Sequence, residues 1–349
     1  MVSTSSFLKE KICLSIKFLE ATRSQDGLWY DFLTLAGSSS EWVTGFVLYA
    51  LGQCQQFPLS SCLISLKALL ALQRRNGGLA YNQDVPTDSD STSWCYLALS
   101  TFPLWRPSAM IRASAFLRRH HEQTTGGFMT YNSQDAIHRY IEVENSQMVQ
   151  GWTSSHPSVT ATVLQCLLLQ GERPDSERVQ SSINYLLQEQ NQTGLWQCYW
   201  WKDYAYPTYQ ALRALFMVRA VKTLNIVAIG KTIIGLQNAD GGWSSESGGE
   251  SAPFVTAFNI LTLLLFCSPA TLTAAQRGVE WLLASQETNG RWAPVPVLRI
   301  PPPMIRQVEV VEKWDINNLG TAVIIEDQQG IFTTASVIWA LSIYRGIIC

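Results

Sequence analysis

The sequence predicts an all-α fold, an (α/α)6 barrel of six helix-pair repeats. Three observations predict it. One short motif recurs six times along the 349 residues. Each copy sits between two helix-forming segments of unequal polarity. The composition, 47% hydrophobic and only 15% charged, requires a large interior. The load of 13 Trp, 12 Tyr and 13 Phe adds bulky material for that interior.

The motif is a helix end, often Gln, a short polar stretch, Gly, then an aromatic residue or Leu. Its copies are SQDGLW (24–29), QRRNGGL (73–79), QTTGGF (123–128), QNQTGLW (190–196), QNADGGW (237–243) and QETNGRW (286–292). They close on Trp29, Leu79, Phe128, Trp196, Trp243 and Trp292, at intervals of 50, 49, 68, 47 and 49 residues. A regular period with one enlarged interval marks repeat architecture. The Gly suits a left-handed helix cap. The Gln amide can join a helix end to neighbouring backbone. The closing aromatic can fill the wedge between helices.

The helices preceding the motif are amphipathic, as in SSCLISLKALLALQ (60–73) and ERVQSSINYLLQEQ (177–190). Those following it are apolar nearly all round, as in SVTATVLQCLLLQG (158–171) and FVTAFNILTLLLFC (254–267). The first kind fits an outer layer and the second an inner layer buried on both sides. The inner helices are expected to begin near 41, 89, 157, 207, 254 and 333, facing one end. Six pairs closed in a ring make one barrel domain spanning 1–349, although length alone suggests two domains. An open solenoid is the alternative. The enlarged interval predicts a rim insertion near 131–150. Segment 293–305, APVPVLRIPPPMI, is too rich in proline for a helix and reads as an apolar loop at the same rim. Such a loop either touches a membrane, guides an apolar substrate, or simply covers the barrel mouth.

Net charge is −2, from 25 basic and 27 acidic residues, which gives no footprint for nucleic acid. No run of 18 apolar residues occurs, so no membrane span is expected. The start MVSTSSFLKEK lacks the order of a secretory signal. The eight cysteines, at 13, 54, 62, 95, 166, 198, 267 and 349, have no CxxC spacing and read as reduced, mostly buried thiols. The expected location is the cytoplasm, with membrane association through the rim.

Chemistry concentrates in VPTDSDSTSWCYLAL (85–99). Asp88, Ser89, Asp90, Ser91 and Thr92 lead into an inner helix, where one of them serves as the N-cap. Two acids two residues apart at a pocket floor also suit acid chemistry.

The repeats resemble the QW motifs of squalene–hopene cyclases and related class II terpene cyclases. The DSDST run resembles that family's DxDD-T signature, with Asp88 at the first acid, Asp90 at the middle one and Ser91 departing at the last. GWTSSHPSVTATVLQCL (151–167) and WWKDYAYPTYQALRAL (200–215) are similar to stretches of bacterial class II cyclases. The resemblance runs from about residue 10 to the end. Squalene-cyclising members resemble two fused barrels of about double this length. This chain has room for one, as in a monodomain meroterpenoid cyclase.

The resemblance implies that Asp90 protonates a linear polyprenyl chain, which then closes ring by ring through carbocations. Burial keeps such an acid protonated, and the helix N-terminus favours the anion left behind. His156, opening the third inner helix, is either the donor to that anion or a hydrogen-bonded core histidine. Asp88 either orients the pair or stays ionised to hold His156 charged. Aromatic faces stabilise cations without attacking them. The substrate-binding candidates are Trp42, Trp94, Trp152, Trp201, Tyr204, Tyr206, Phe254 and Trp339, with Tyr204 and Tyr206 favoured because they flank the Pro207 turn. Lys202, with Arg139, His138, Arg299 and Arg306, is the candidate to hold an anionic head. A prenylated aromatic acid is favoured over a labdane- or drimane-type prenyl diphosphate. No metal site and no cofactor are expected, except Mg²⁺ if the substrate is a diphosphate. Two rivals are a protein prenyltransferase β-subunit, whose Zn²⁺ ligand pattern the four histidines do not supply, and a non-catalytic lipid-binding barrel.

Overall fold

The computed structural model describes residues 4–54, 59–102, 107–220, 224–246 and 248–348. In chain order the first half contains α1 (Thr4–Thr22), β1 (Asp31–Thr34), β2 (Gly37–Ser39), α2 (Glu41–Gly52), α3 (Leu59–Leu72), β3 (Leu79–Ala80), β4 (Thr87–Asp88), α4 (Ser89–Thr101), α5 (Pro107–Arg118) and the short α6 (Ile137–Tyr140). The second half contains α7 (Pro157–Leu169), α8 (Glu177–Gln188), α9 (Ala205–Met217), α10 (Ile226–Gly235), α11 (Pro253–Phe266), α12 (Pro269–Ser285), β5 (Leu298–Ile300), β6 (Asp315–Ile316), β7 (Val323–Ile325) and α13 (Ile331–Ile348).

The inner helices close on themselves. α2 packs on α4, α4 on α7, α7 on α9, α9 on α11, α11 on α13, and α13 returns to α2. This closure answers the barrel-or-solenoid question for the barrel. α1, α3, α5, α8, α10 and α12 pack outside the ring. The inner helices are buried nearly all round; every residue of α7 from Pro157 to Leu167 is buried. α8 buries only a stripe of Val179, Ser182, Ile183, Tyr185 and Leu186. By length and mean hydropathy alone α13 could cross a membrane, because its Ser and Thr are diluted by Ile, Val and Ala. It is 67% buried as an inner helix of the ring.

The repeat motif is a joint between layers. Gln73, Gln190, Gln237 and Gln286 each donate from Nε2 to the carbonyl of the motif glycine, at 2.9, 2.8, 2.8 and 3.1 Å. Gln73 and Gln237 also reach the next outer helix at Ala109 O and Ala274 O. Indole N–H groups of Trp29, Trp196, Trp243 and Trp292 donate to the carbonyl ten residues earlier, at 2.6–2.8 Å. The glycine does not cap its helix. α3 ends at Leu72, and Gly77 closes a separate turn in which its N–H donates to Arg74 O at 2.9 Å. Gly77 has φ +92°, and a Cβ there would lie 2.3 Å from the Arg112 carbonyl oxygen. The close approach of the next outer helix therefore requires glycine.

The sequence reading missed six threonines that complete the joint. Thr44, Thr92, Thr160, Thr208, Thr256 and Thr334, near the starts of the six inner helices, accept the backbone N–H of the six motif-closing residues at 2.8–3.3 Å. Each hydroxyl satisfies a buried donor that no backbone ladder serves.

The two rim expectations meet in one wall. Trp152 Nε1 donates to Pro301 O at 3.0 Å, Gly151 N to Pro303 O at 2.8 Å, and Tyr199 Oη to Ile305 O at 2.7 Å. The insertion has its own small core of Tyr131, Ile137 and Val149, with Ile141, Val143 and Trp152 against it. The proline-rich loop contributes β5, antiparallel to β7, with β6 parallel on the other side of β7. Of the cysteines, Cys54, Cys62, Cys95, Cys166 and Cys198 are buried free thiols, and Cys13 is partly buried. Cys267, which follows α11, is exposed. Cys349 lies outside the described residues.

Candidate active site

A cavity of about 600 Å³ opens at the N-terminal ends of the inner helices. Its walls are Trp42 at the start of α2, Asp88, Asp90 and Ser91 at the start of α4, Trp152 from the insertion, and Trp200 and Trp201 ahead of α9. Leu298 and Ile300 of β5 and Gly320 and Thr321 of the β6–β7 loop complete it. Among the described lining residues the only charged groups are Asp88 and Asp90.

Asp88 is the N-cap of α4. Its Oδ1 accepts from Ser91 N at 2.7 Å, while its buried Oδ2 has no partner. Burial holds its carboxyl well above the ordinary carboxylate range, against the Ser91 hydrogen bonds. Burial thus disfavours the ionised form of Asp88, one of the two roles the sequence left open, and favours the orienting one. Two residues on, in the first turn of α4, Asp90 keeps partial access to the cavity. Burial raises its carboxyl to about 7, opposed by the Trp42 and Thr162 side chains, which favour the anion. The Trp42 indole N–H is buried without a hydrogen-bond partner, which leaves it available to an Asp90 carboxylate. Two neighbouring acids thus have their protonated forms favoured by an apolar pocket, and Asp90 is the one that also reaches the cavity with side chains beside it that favour its anion.

His156 does not have the role of donor to Asp90. Its Nε2 donates to Gly151 O at 3.0 Å, and its ring stacks on Tyr199 with centroids 4.3 Å apart. Burial without an acidic partner drives its pKa down to about 3, so it is a neutral core histidine at the N-cap of α7. The polar neighbours of Asp90 are Trp42 and Thr162, and Thr162 was not anticipated because it lies on the buried inner face of α7.

The aromatic expectations divide by depth. Trp42, Trp152 and Trp201 line the cavity. Phe254 lies behind, stacked on Trp201 at 5.1 Å, and Tyr206 stacks on Trp201 at 4.3 Å. Trp94 donates to Tyr206 Oη at 3.0 Å. Trp339 sits lower, edge-on to Trp94 at 6.3 Å. These four buried rings form a packed column beneath the cavity rather than its wall. Tyr204 is 40% exposed and does not line the cavity, because the chain turns outward before α9. Lys202 is not free for an anion: its Nζ pairs with Glu246 at 2.5 Å. Arg299 is occupied by the carbonyls of Cys198 and Lys202. Arg139 and His138 lie on α6 and do not line the cavity, and Arg306 lines a separate polar groove. Wall residues the sequence did not single out include Tyr81, which stacks on Trp42 at 6.2 Å, and Tyr131. Phe332, 5.0 Å from Trp42, backs the same wall. Their signal, an aromatic at the end of a two-residue strand or the first turn of α13, is too short to read.

Residues 71–297 match the family model of the squalene-hopene cyclase C-terminal domain. Enfumafungin synthase of Hormonema carpetanum is 31% identical over 188 residues, covering 47% of this chain and 14% of that protein. The squalene–hopene cyclase of Zymomonas mobilis is 28% identical over 175 residues, covering 45% of this chain and 26% of that protein. The chain thus spans about a quarter or less of these curated relatives. The type II terpene cyclase MstE from Scytonema, solved with its substrate geranylgeranyl dihydroxybenzoate, superposes with a TM-score of 0.87 at 25% identity over 98% of both chains. Its complex with the product merosterolic acid A also gives 0.87, at 26% identity over 98% of both.

Proposed function

The chain belongs to the squalene-hopene cyclase family, and from that premise we propose that it cyclises a linear polyprenyl chain by protonating a terminal alkene from Asp90. The observation that carries this reading is a buried carboxyl, raised to about 7, at the floor of a large cavity walled by indoles. Protonating an alkene requires a proton held away from water and a surrounding that accepts a cation. Burial supplies the first. Trp42, Trp152 and Trp201 supply the second, because ring faces attract a cation and are poor nucleophiles. The proton passes from Asp90 to the alkene, and the new cation is attacked by the next double bond. A later C–H bond gives up a proton, so the product is an isomer of the substrate. Trp42 and Thr162 steady the Asp90 carboxylate until solvent reprotonates it. The cavity walls fold the chain beforehand, which removes much of its entropy before the chemistry.

The substrate is a prenylated aromatic acid, and MstE, which binds one, supports this. The lining gives further support: among the described residues it offers a diphosphate no Lys, Arg or His, and its two acids would repel one wherever they ionise. Carboxyls held protonated are poor ligands for Mg²⁺, so turnover is expected without added metal. The protein acts in the cytoplasm and docks on a membrane through its mouth. Leu33, Leu35 and Leu319 there are 41%, 74% and 51% exposed, and Leu35 also lines the cavity. Incubation with geranylgeranyl dihydroxybenzoate and with geranylgeranyl diphosphate, each with and without EDTA, tests the reading. The expected result is a cyclic isomer of the first compound in both buffers; turnover of the diphosphate alone would overturn the substrate assignment.

A further inference from the structure

At the opposite end of the barrel from Asp90 lies a second, smaller cavity of about 180 Å³. It lies among four inner helices: Tyr49 of α2 and Gln53 at its C-cap, Tyr209 and Arg213 of α9, Leu264 near the end of α11 and Trp339 at the middle of α13. Its space equals that of roughly six waters at about 30 Å³ each.

Arg213 gives this cavity its chemistry. The guanidinium lies over the Tyr49 ring at 5.0 Å and the Trp339 ring at 5.6 Å. Its Nη1 is buried with no hydrogen-bond partner. Its polar neighbours are the phenol of Tyr49, to which it also hydrogen-bonds, the phenol of Tyr209 and the thiol of Cys166, and burial raises all three above their ordinary values, so none supplies a counter-charge. Among the described residues it has no carboxylate partner, whereas Arg74, Arg118, Arg173, Arg178 and Arg291 all do. Burying a cation without a counter-charge is expensive. Two ring faces offset part of that penalty and also fix the plane of the guanidinium. A planar fork with a free N–H, held against an apolar cavity, is complementary to a carboxylate on a small apolar body.

We propose that this second cavity is a binding site for an apolar monocarboxylate, with the carboxylate on Arg213 and the hydrocarbon or aromatic body against Leu264 and Trp339. The site stands independently of the role of Asp90. It is also physically connected to that end of the barrel. Trp339 packs on Phe46, Trp94 and Phe258, rings of the column that underlies the catalytic cavity.

The test is calorimetric titration of the whole protein with benzoate and with octanoate, which separate an aromatic acid from a fatty acid. Benzamide and octanol serve as neutral isosteres. At least one acid is expected to bind with a dissociation constant of millimolar or tighter, and its isostere at least tenfold more weakly. Arg213→Leu is expected to weaken the acid at least tenfold. Leu264→Trp, which fills the cavity and keeps the arginine, is expected to do the same. Should Arg213→Leu fail to fold, Leu264→Trp and the isostere comparison on the unaltered protein decide. Equal affinity for acid and isostere, undiminished binding in either folded variant, or no heat with either acid at 10 mM would each overturn the proposal.

Discussion

Replacing Asp90 with Asn separates the chemical role of the carboxyl from its effect on folding. Burial carries this group from an ordinary 3.8 to about 7. A folded-state pKa above the unfolded one means that the folded chain binds the proton more tightly. That contribution to stability is complete below about pH 4 and is lost as pH rises through about 7. The full difference corresponds to about 4 kcal/mol, and the partial opening of Asp90 to the cavity reduces this to about 2–4 kcal/mol. Asn has the same shape, never ionises, and can still face Trp42 and Thr162. The variant is therefore expected to equal the parent in stability at pH 4 and to exceed it by about 2–4 kcal/mol at pH 8, a rise of several degrees in melting temperature. Cyclisation should meanwhile fall at least a thousandfold, because the amide has no proton acidic enough to give. Calorimetric melts from pH 4 to pH 8, with product analysis at each pH, measure both effects. A stability difference that does not grow with pH would show that Asp90 is not desolvated, and retained turnover would show that it is not the acid.

Other consequences follow from the same groups. For the unaltered protein, turnover should decline as pH rises through about 7, because only protonated Asp90 is competent; a pH–rate profile flat to pH 9 contradicts this. His156→Phe should keep at least a tenth of the parent activity and leave that pH limb in place, since the ring is neutral and bonded to Gly151 rather than to Asp90; abolition of turnover in a folded variant would restore a direct role. Thr208→Val removes the acceptor of the Trp196 N–H and should cost about 1–3 kcal/mol in urea unfolding without changing the product. Leu35→Glu combined with Leu319→Glu should reduce co-sedimentation with phosphatidylcholine vesicles severalfold at unchanged melting temperature.

The ring of helices was legible because each repeat solves the same packing problem with the same residues. Gln286, Gly290 and Trp292 are readable as a unit without coordinates, since hydrogen bonding and close approach leave them few substitutes. The threonines that complete each joint were not legible. Thr208 or Thr256 in an apolar helix has no pattern of its own and acquires meaning only opposite a buried N–H. Asp88 and Asp90 stood out from composition, but their states did not. Protonation depends on how much water and charge surround each group, and those neighbours come from α2 and α7. His156 stayed between two readings for the same reason. Its position at the start of α7 was legible, whereas the stacking on Tyr199 that buries and neutralises it comes from a residue 43 places along the chain. Lys202 is drawn from the role of holding an anionic head by Glu246, a surface partner that no local pattern announces.

Turnover of geranylgeranyl dihydroxybenzoate in D₂O tests protonation most directly. The expected product carries one non-exchangeable deuterium per molecule, at the CH carbon of the terminal alkene, which receives the Asp90 proton and leaves the cation on the dimethyl-bearing carbon. A cyclic product free of deuterium would contradict an acid-triggered closure.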